Sequence, residues 1–431
     1  MPGISEDLRA RGLIHQVTDD ALLSNLDQGG VTLYAGFDPT ADSLHAGNLL
    51  QLCTLRRIQQ AGNRPIVLAG GATGMIGDPG GRSDERNLLD ADTLQANLAA
   101  IERQLASFLD FSAQGGKSQA ILVNNADWLA DVRLLDFLRD TGKHFTVNQM
   151  VAKESVKSRL ERPDQGISYT EFSYMLLQAY DFAQLFERYG CTAQIGGSDQ
   201  WGNITMGAEL VRKIHGAQAF GMTSPLVTNA DGTKFGKSAG NAGRIWLDRN
   251  KTSPFGFYQF FINTDDAMVA TYLRFFSFLD LASIADLEAE TIAAPSKRSA
   301  QRALASAMVE LVHGADDLRR AELATEALFG GSLATLDEAT LGELIGDVPS
   351  SRVSRSRLEA SPLLIDVLAE AELVNSKSEA RRSIEQRGAF VNDVLRDGVD
   401  ATVNTDDLLF GRFIVLRKGK RTYHVIECAE A

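Results

Sequence analysis

The chain has 431 residues, 44% hydrophobic and 23% charged, the balance of a globular protein too long for one core and expected to fold as about two to four domains. Its three cysteines (Cys53, Cys191, Cys428) are far apart with no CxxC pair, which argues against a disulfide framework or cysteine zinc site and for a reducing compartment. No run is apolar for long enough to span a bilayer, MPGISEDLRARG lacks the apolar core of a signal peptide, and a net charge of −13 speaks against wholesale polyanion binding while leaving room for local basic patches.

In chain order, Met1 to Gly30 reads as a leading helix and connection with apolar Leu8, Leu13, Leu22, Leu23 and Leu26. Val31 to Tyr34 predicts a buried strand that breaks at Gly36 and passes through Asp38-Pro39-Thr40. A helix is expected after Ser43, its candidate cap, because Leu49, Leu50, Leu52, Cys53, Leu55 and Ile58 recur at helical spacing. Gly62 ends that helix, and Pro65 to Ala69 reads as a second strand, completing a βαβ unit with a right-handed crossover. His45 and Gly47 then sit in a first helical turn at a strand end, where backbone amides favour an anion.

Gly70 to Gly81 is dense in glycine but lacks GxGxxG, since Ala72 stands at the second glycine position. A plain turn-rich loop and a loop that lets backbone approach a ligand both remain open, with Asp78 its one charged group. Thr93 to Leu109 predicts an amphipathic helix, and Ala120 to Asn124 a third strand. Leu129 to Ser158 predicts helix turning basic at Lys153, Lys157 and Arg159, a pattern more often a solvated face than a site. Tyr169 to Tyr189 is a further helix on which Tyr174, Gln178 and Asp181 share one face at i, i+4 and i+7. Thr192 to Gly196 reads as a fourth strand, and Gly197-Ser198-Asp199-Gln200 opens the helix Trp201 to His215. This repeats the design of the opening unit, and two such units facing each other form the ligand crevice of an open α/β sheet.

Pro225 to Ser238 predicts a strand, a tight turn, and lysines flanking Gly236. A phosphate-binding P-loop is rejected there, because only three residues separate Gly232 from Gly236 and Asp231 stands where glycine would be needed. Ser253 to Glu343 turns wholly helical, and Ser350 to Ser361 reads as a polar linker. The tail from Pro362 to Ala431 mixes two helices with short strands and clusters basic residues at Arg381, Arg382 and Arg387 and again at Arg417, Lys418, Lys420 and Arg421.

HAGN (His45 to Asn48) resembles the HIGH signature of class I aminoacyl-tRNA synthetases, and KFGKS (Lys234 to Ser238) resembles their KMSKS loop. Taken with YAGFDPTADSLHAGN, SYMLLQAYDF and QIGGSDQWGN, the chain resembles bacterial-type tyrosyl-tRNA synthetases over nearly its whole length, and the tail resembles the small RNA-binding domain that family carries. Two departures stand out. Asn48 replaces the second histidine of HIGH, and Ala126 stands where an aromatic is expected beside Asn125 and Trp128.

The resemblance implies a Rossmann-like catalytic domain with a parallel sheet over 1–245, carrying an inserted helical segment near 125–170. It implies an all-α domain over 246–345, a linker over 346–361, and a small α+β RNA-binding domain over 362–431. The reaction implied is activation of L-tyrosine by ATP to tyrosyl-adenylate, then transfer to the terminal adenosine of tRNA(Tyr), with Mg²⁺ accompanying ATP and no tightly bound cofactor or protein metal cage. Thr40, His45, Lys234 and Lys237 would bind the phosphates as charge builds. Gly36, Asp38, Gly47, Asn48, Gly196, Asp199 and Ser238 would complete the nucleotide site, with Asp199 and Gly196 on the ribose and Asp38 also supporting the amino-acid pocket. Asp78, Tyr174 and Gln178 would take the substrate ammonium and Gln200 its carboxylate. Tyr34 and Asp181 would bind the phenol hydroxyl; two polar groups left unpaired by phenylalanine make rejection steep, an effect for which tyrosyl-tRNA synthetases are the standard instance. Arg381, Arg382, Arg387, Lys418, Lys420 and Arg421 would contact tRNA. A cytoplasmic homodimer with Lys143 to Arg162 near its interface is implied, and neither membrane nor DNA. The alternatives are a tryptophanyl-type synthetase, disfavoured because indole offers a donor and no acceptor, a catalytically silent RNA-binding homologue, and a nicotinamide oxidoreductase, disfavoured by the missing GxGxxG.

Overall fold

The computed structural model describes residues 3–78, 91–153, 156–157, 160, 166–233, 235–236, 244–329, 332–333, 336–345, 347–419 and 422–429. Two compact units emerge: Met1–Asp248 with Thr264–Leu304, and Arg249–Asn263 with Ala305–Ala431.

The first unit is built on a six-stranded sheet of β1 (Gln16–Val17), β2 (Thr32–Phe37), β3 (Arg64–Ala69), β4 (Ile121–Asn124), β5 (Ala193–Gly197) and β6 (Phe220–Ser224), in the order β1-β6-β5-β2-β3-β4. All neighbours pair in parallel except β1, an antiparallel edge on β6. β2 is followed by β3 on one side, whereas β5 is followed by β6 on the other. The chain therefore leaves β2 and β5 in opposite directions, and the crevice opens at their carboxyl ends. Four helices position the site: α1 (Leu49–Gln60), α2 (Tyr169–Tyr189), α3 (Trp201–His215) and α4 (Asp266–Phe276). α2 starts on a Ser168 side-chain cap and stops at left-handed Gly190, and α3 stops at left-handed Gly216. Tyr34, Ile66, Leu68, Phe182, Leu185 and Val211 form one shared core between the sheet and α2 and α3.

Three sequence readings are corrected in this unit. The cap after β2 is His45 rather than Ser43: a 3₁₀ turn, Ala46–Asn48, precedes α1, and the Ser43 hydroxyl instead bonds the Leu44 carbonyl. The strand expected from Pro225 lies upstream at Phe220–Ser224, every residue buried; Gly221, Thr223 and Ser224 dilute its apolar signal. Gly221 is required there, since a Cβ would stand 2.3 Å from Ile204. The long helix expected from Leu129 is short pieces, Ala126–Leu129, Leu134–Asp136 and Val147–Val151, separated by π and 3₁₀ turns. Leu134 and Leu135 in it are 70% and 78% exposed, whereas Phe137, Phe145 and Met150 pack with Met175, Leu176 and Leu210, so its apolar residues divide between surface and core.

α4 is fastened to the far end of α1. Buried Arg57 of α1 donates to the Ser277 carbonyl just past α4, buried Arg11 donates to the Leu279 carbonyl (2.7 Å), and both engage Asp7. Arg57 also stacks 4.4 Å over Phe278. Burial, with Arg11 alongside, pulls the Arg57 pKa down to about 10, still charged at neutral pH.

The second unit carries a five-stranded sheet of β7 (Ser350–Ser354), β8 (Ala389–Val391), β9 (Val394–Leu395), β10 (Phe413–Lys418) and β11 (Thr422–Ala429), in the order β7-β11-β10-β8-β9. The segment read as a linker is thus partly a strand, with Ser350–Ser354 parallel to β11 and a helix at Arg355–Glu359. Alternating small polar residues masked it, because only Ser351 and Val353 turn inward. One sheet face packs Ile414, Leu416 and Ile426 on the helices Leu364–Glu370 and Lys377–Glu385. The other packs Phe413, Val415, Tyr423 and Val425 on Phe255, Leu341 and Leu344.

Candidate active site

A cleft of about 280 Å³ opens at the carboxyl ends of β2 and β5. At its closed end Asp181 of α2 is 2% exposed and accepts from Trp128 Nε1 (2.7 Å) and Asn125 Nδ2 (3.0 Å). Burial pushes this carboxyl up to about 7; the two donors hold it down and Asp38 adds to the rise. Tyr34 of β2, 1% exposed, lines the same end with its ring edge-on to Phe182. Its hydroxyl is buried without a hydrogen-bond partner among the described residues, and burial keeps it protonated by raising its pKa well above the ordinary value. In a parallel register Tyr34 lies beside Gln194 of β5, whose Oε1 is likewise buried and unpaired. A carboxylate acceptor next to an unpaired hydroxyl fits a ligand hydroxyl that donates to one and accepts from the other.

Farther out the cleft is ringed by carboxylates and amides. The Tyr174 hydroxyl donates to Asp38 (3.3 Å), as does the Thr73 hydroxyl (3.3 Å). Gln200 Nε2 donates to Asp78 (2.6 Å), and Asn203 Nδ2 donates to Gln178 Oε1 (3.0 Å) and Gln200 Oε1 (3.3 Å). Two anions among neutral acceptors suit a ligand ammonium. Asp38, expected both at the nucleotide and in support of the amino-acid pocket, lies with Tyr174, and the Gln200 amide, expected at the substrate carboxylate, turns to Asp78.

Thr40, Gly36, Asn48, Gly196 and His45 line the cleft as well, whereas Gly47 and Asp199 are exposed and form none of its wall. His45 Nδ1 accepts from the Gly47 amide (3.0 Å), which in the neutral ring leaves the proton on Nε2. Asn48 Oδ1 accepts from the His45 amide (3.0 Å), closing a capping box. Gly47 must be glycine: a Cβ there would stand 2.8 Å from the His45 ring.

The second motif threads directly against the first. Gly236, at φ +81, would place a Cβ 3.2 Å from both Ala46 Cβ and the Gly47 nitrogen. The Ile245 amide donates to the Gly236 carbonyl (2.9 Å), and the Ala46 amide to the Ile245 carbonyl (2.8 Å). Buried Phe235 stacks on Phe276 (5.2 Å between centroids) and meets Tyr272 edge-on (4.9 Å), both on α4. Lys234, Lys237 and Ser238 lie outside the described residues.

Residues 26–330 match the family described as class I tRNA synthetases (W and Y), and residues 341–426 match a tyrosine–tRNA ligase C-terminal domain. A tyrosine–tRNA ligase of Roseiflexus castenholzii is 53% identical over 427 residues, 99% of each chain. That of Geobacillus stearothermophilus is 51% identical over 425 residues, 98% of this chain and 99% of its own. The chain belongs to the tyrosine–tRNA ligase family. Among solved structures, a C-terminally truncated mitochondrial tyrosyl-tRNA synthetase of Aspergillus nidulans is 36% identical with a TM-score of 0.68, covering 76% of this chain and 95% of its own. A Plasmodium falciparum tryptophanyl-tRNA synthetase, 14% identical with a TM-score of 0.51 over 78% of this chain and 87% of its own, shares the fold alone.

For a tyrosine–tRNA ligase family member, the site residues that sequence reasoning missed are supporting ones: Thr73, Gln194 and Asn203. Asn125 and Trp128 carried a usable signal, standing one helical turn apart just after β4. In the second unit Arg381, Arg382 and Arg387 are exposed on and just after the helix Lys377–Glu385, while Lys418 is ion-paired with Glu379 (2.6 Å). Lys420 and Arg421 lie outside the described residues.

Proposed function

We infer that the chain is a tyrosine–tRNA ligase that activates L-tyrosine with ATP and charges the terminal adenosine of tRNA(Tyr). The single observation that carries the substrate choice is the closed end of the cleft, where the unpaired Tyr34 hydroxyl and buried Asp181 fit a para-hydroxyl as acceptor and donor together. The tyrosine carboxylate attacks the α-phosphorus, the bond to the bridging oxygen breaks, and pyrophosphate leaves with the electron pair. A ribose hydroxyl of tRNA then takes the tyrosyl group and AMP departs. No protein nucleophile is needed, since the attacking carboxylate is already ionised; catalysis comes from positioning and charge stabilisation.

Asp38, Asp78, Tyr174 and Gln178 hold the ammonium, and Gln200 exchanges its bond to Asp78 for the substrate carboxylate. Thr40, His45 through Nε2–H, Lys234 and Lys237 take the phosphates. Gly36, Gly47, Asn48, Gly196, Asp199 and Ser238 complete the nucleotide site. Mg²⁺ accompanies the triphosphate in this reading, offsetting charge on its oxygens. Exposed Arg381, Arg382 and Arg387 in the second unit serve tRNA, together with Lys418, Lys420 and Arg421. Exposed Leu134, Leu135, Leu138 and Val147 support a homodimer through that apolar face. A cytoplasmic location belongs to the same reading; among the described residues no helix is long and apolar enough to cross a membrane.

ATP–pyrophosphate exchange across the twenty amino acids tests this. Exchange with tyrosine, and far less with phenylalanine, is expected; exchange driven by tryptophan, or by nothing, would overturn it.

A further inference from the structure

The cleft wall holds three carboxylates, Asp38, Asp78 and Asp181, and among the described residues one side chain of permanent positive charge, Arg244. Nothing in the sequence marked this residue. Three contacts fix its place. Ile245 is bonded through its amide to Gly236 and through its carbonyl to Ala46, so the backbone beside Arg244 is woven into the His45 turn. Trp246 makes an antiparallel bridge with His45, and its ring meets the imidazole edge-on at 6.2 Å. The Arg244 guanidinium lies over that same indole, 5.8 Å from its centroid. One tryptophan thus supports both the imidazole and the guanidinium at one end of the cleft.

We propose that Arg244 is a phosphate-binding residue, gripping the polyphosphate of ATP and the departing pyrophosphate beside His45. This rests on the assignment of that end of the cleft to the nucleotide. A triphosphate entering a cavity with three carboxylates needs fixed positive charge. A guanidinium supplies it as a planar fork that reaches two phosphate oxygens while remaining stacked on an indole. In the step itself Arg244 neither gives nor takes a proton. It stabilises the negative charge that moves onto the pyrophosphate oxygen as the bond to the α-phosphorus breaks.

The full-length enzyme is assayed for tyrosine-dependent ATP–pyrophosphate exchange as the unaltered protein, Arg244→Gln and Arg244→Lys. Tyrosine affinity is read separately by fluorescence titration without nucleotide. Arg244→Gln is expected to lower kcat/KM for pyrophosphate by roughly ten- to hundredfold, the scale of one charge-assisted hydrogen bond, with tyrosine affinity unchanged. Arg244→Lys is expected in between. Exchange kinetics unaltered in Arg244→Gln would overturn the proposal, and so would a parallel loss of tyrosine affinity, which would mark a structural role. Failure of the unaltered protein to exchange with tyrosine would instead remove the reading of the whole site.

Discussion

At the scale of single residues, the tyrosine pocket shows a conflict between stability and recognition. Asp181 is held in a buried place where its charge is costly, and its folded-state pKa of about 7 exceeds the ordinary 3.8. An acid raised in this way stabilises the fold fully below pH 3.8 and loses that contribution as pH climbs through about 7. Asp181→Asn should therefore raise the melting temperature of the ligand-free protein more at pH 8 than at pH 4, while raising the KM for tyrosine and narrowing its lead over phenylalanine. Calorimetry at the two pH values and competition kinetics check both halves. In the unaltered enzyme, tyrosine affinity should fall as pH drops below about 7, because a protonated Asp181 is a poorer acceptor for the phenol. Tyr34→Phe removes a buried hydroxyl that has no partner among the described residues. It should leave stability equal or higher yet weaken tyrosine by about 0.5–1.5 kcal/mol relative to phenylalanine. His45→Ala should slow adenylate formation far more than it weakens tyrosine, as pre-steady-state rates and equilibrium titration would reveal.

At the scale of elements, α1 works at both ends. Its leading turn presents His45, and its last turn carries Arg57, which grips the exit of α4. α4 in turn seats Phe235, next to Gly236 and the His45 turn. The two signature motifs, remote in sequence, are thus tied through a closed circuit of α1, α4 and the strand-like stretch at Ile245. Phe235→Ala should cost about 3–5 kcal/mol if the aromatic cluster cannot close over the gap. The exchange rate should fall with tyrosine affinity kept, which stopped-flow kinetics can separate from global unfolding in urea. Alternation of apolar strands with amphipathic helices made most elements legible beforehand, and α2 and α3 have the expected ends. β6 and β7 were not legible, because β6 is buried through glycine, threonine and serine as much as through apolar residues, and β7 is a half-exposed run of serines and one arginine around Val353, so neither has a hydrophobic period to read. The Leu129 stretch misled in the opposite direction: its apolar residues divide between solvent (Leu134, Leu135) and core (Met150), and π and 3₁₀ turns break the helix they suggest.

At the scale of the whole molecule, the strands of the tail and the helices around Phe255 and Leu341 share one core within the second unit. Cutting the tail away would strip that core, so charge reversal tests RNA contact more cleanly than truncation does. Replacing Arg381, Arg382 and Arg387 together by Glu should spare ATP–pyrophosphate exchange, impair aminoacylation, and lessen the salt dependence of aminoacylation. Parallel loss in both assays would contradict a role confined to tRNA.

Sequence alone determined the order of motifs, the strand–loop–helix alternation around them and the facing triad Tyr174, Gln178 and Asp181, because these depend on local spacing and backbone preference. Only the tertiary structure decided that Gln194 enters the pocket, that Asn203 braces Gln178 and Gln200, that Gln200 turns to Asp78, and that Arg244 shares an indole with His45. Each of those depends on which distant segments the sheet order brings together, and on how burial shifts the charge of groups whose neighbours are far away along the chain.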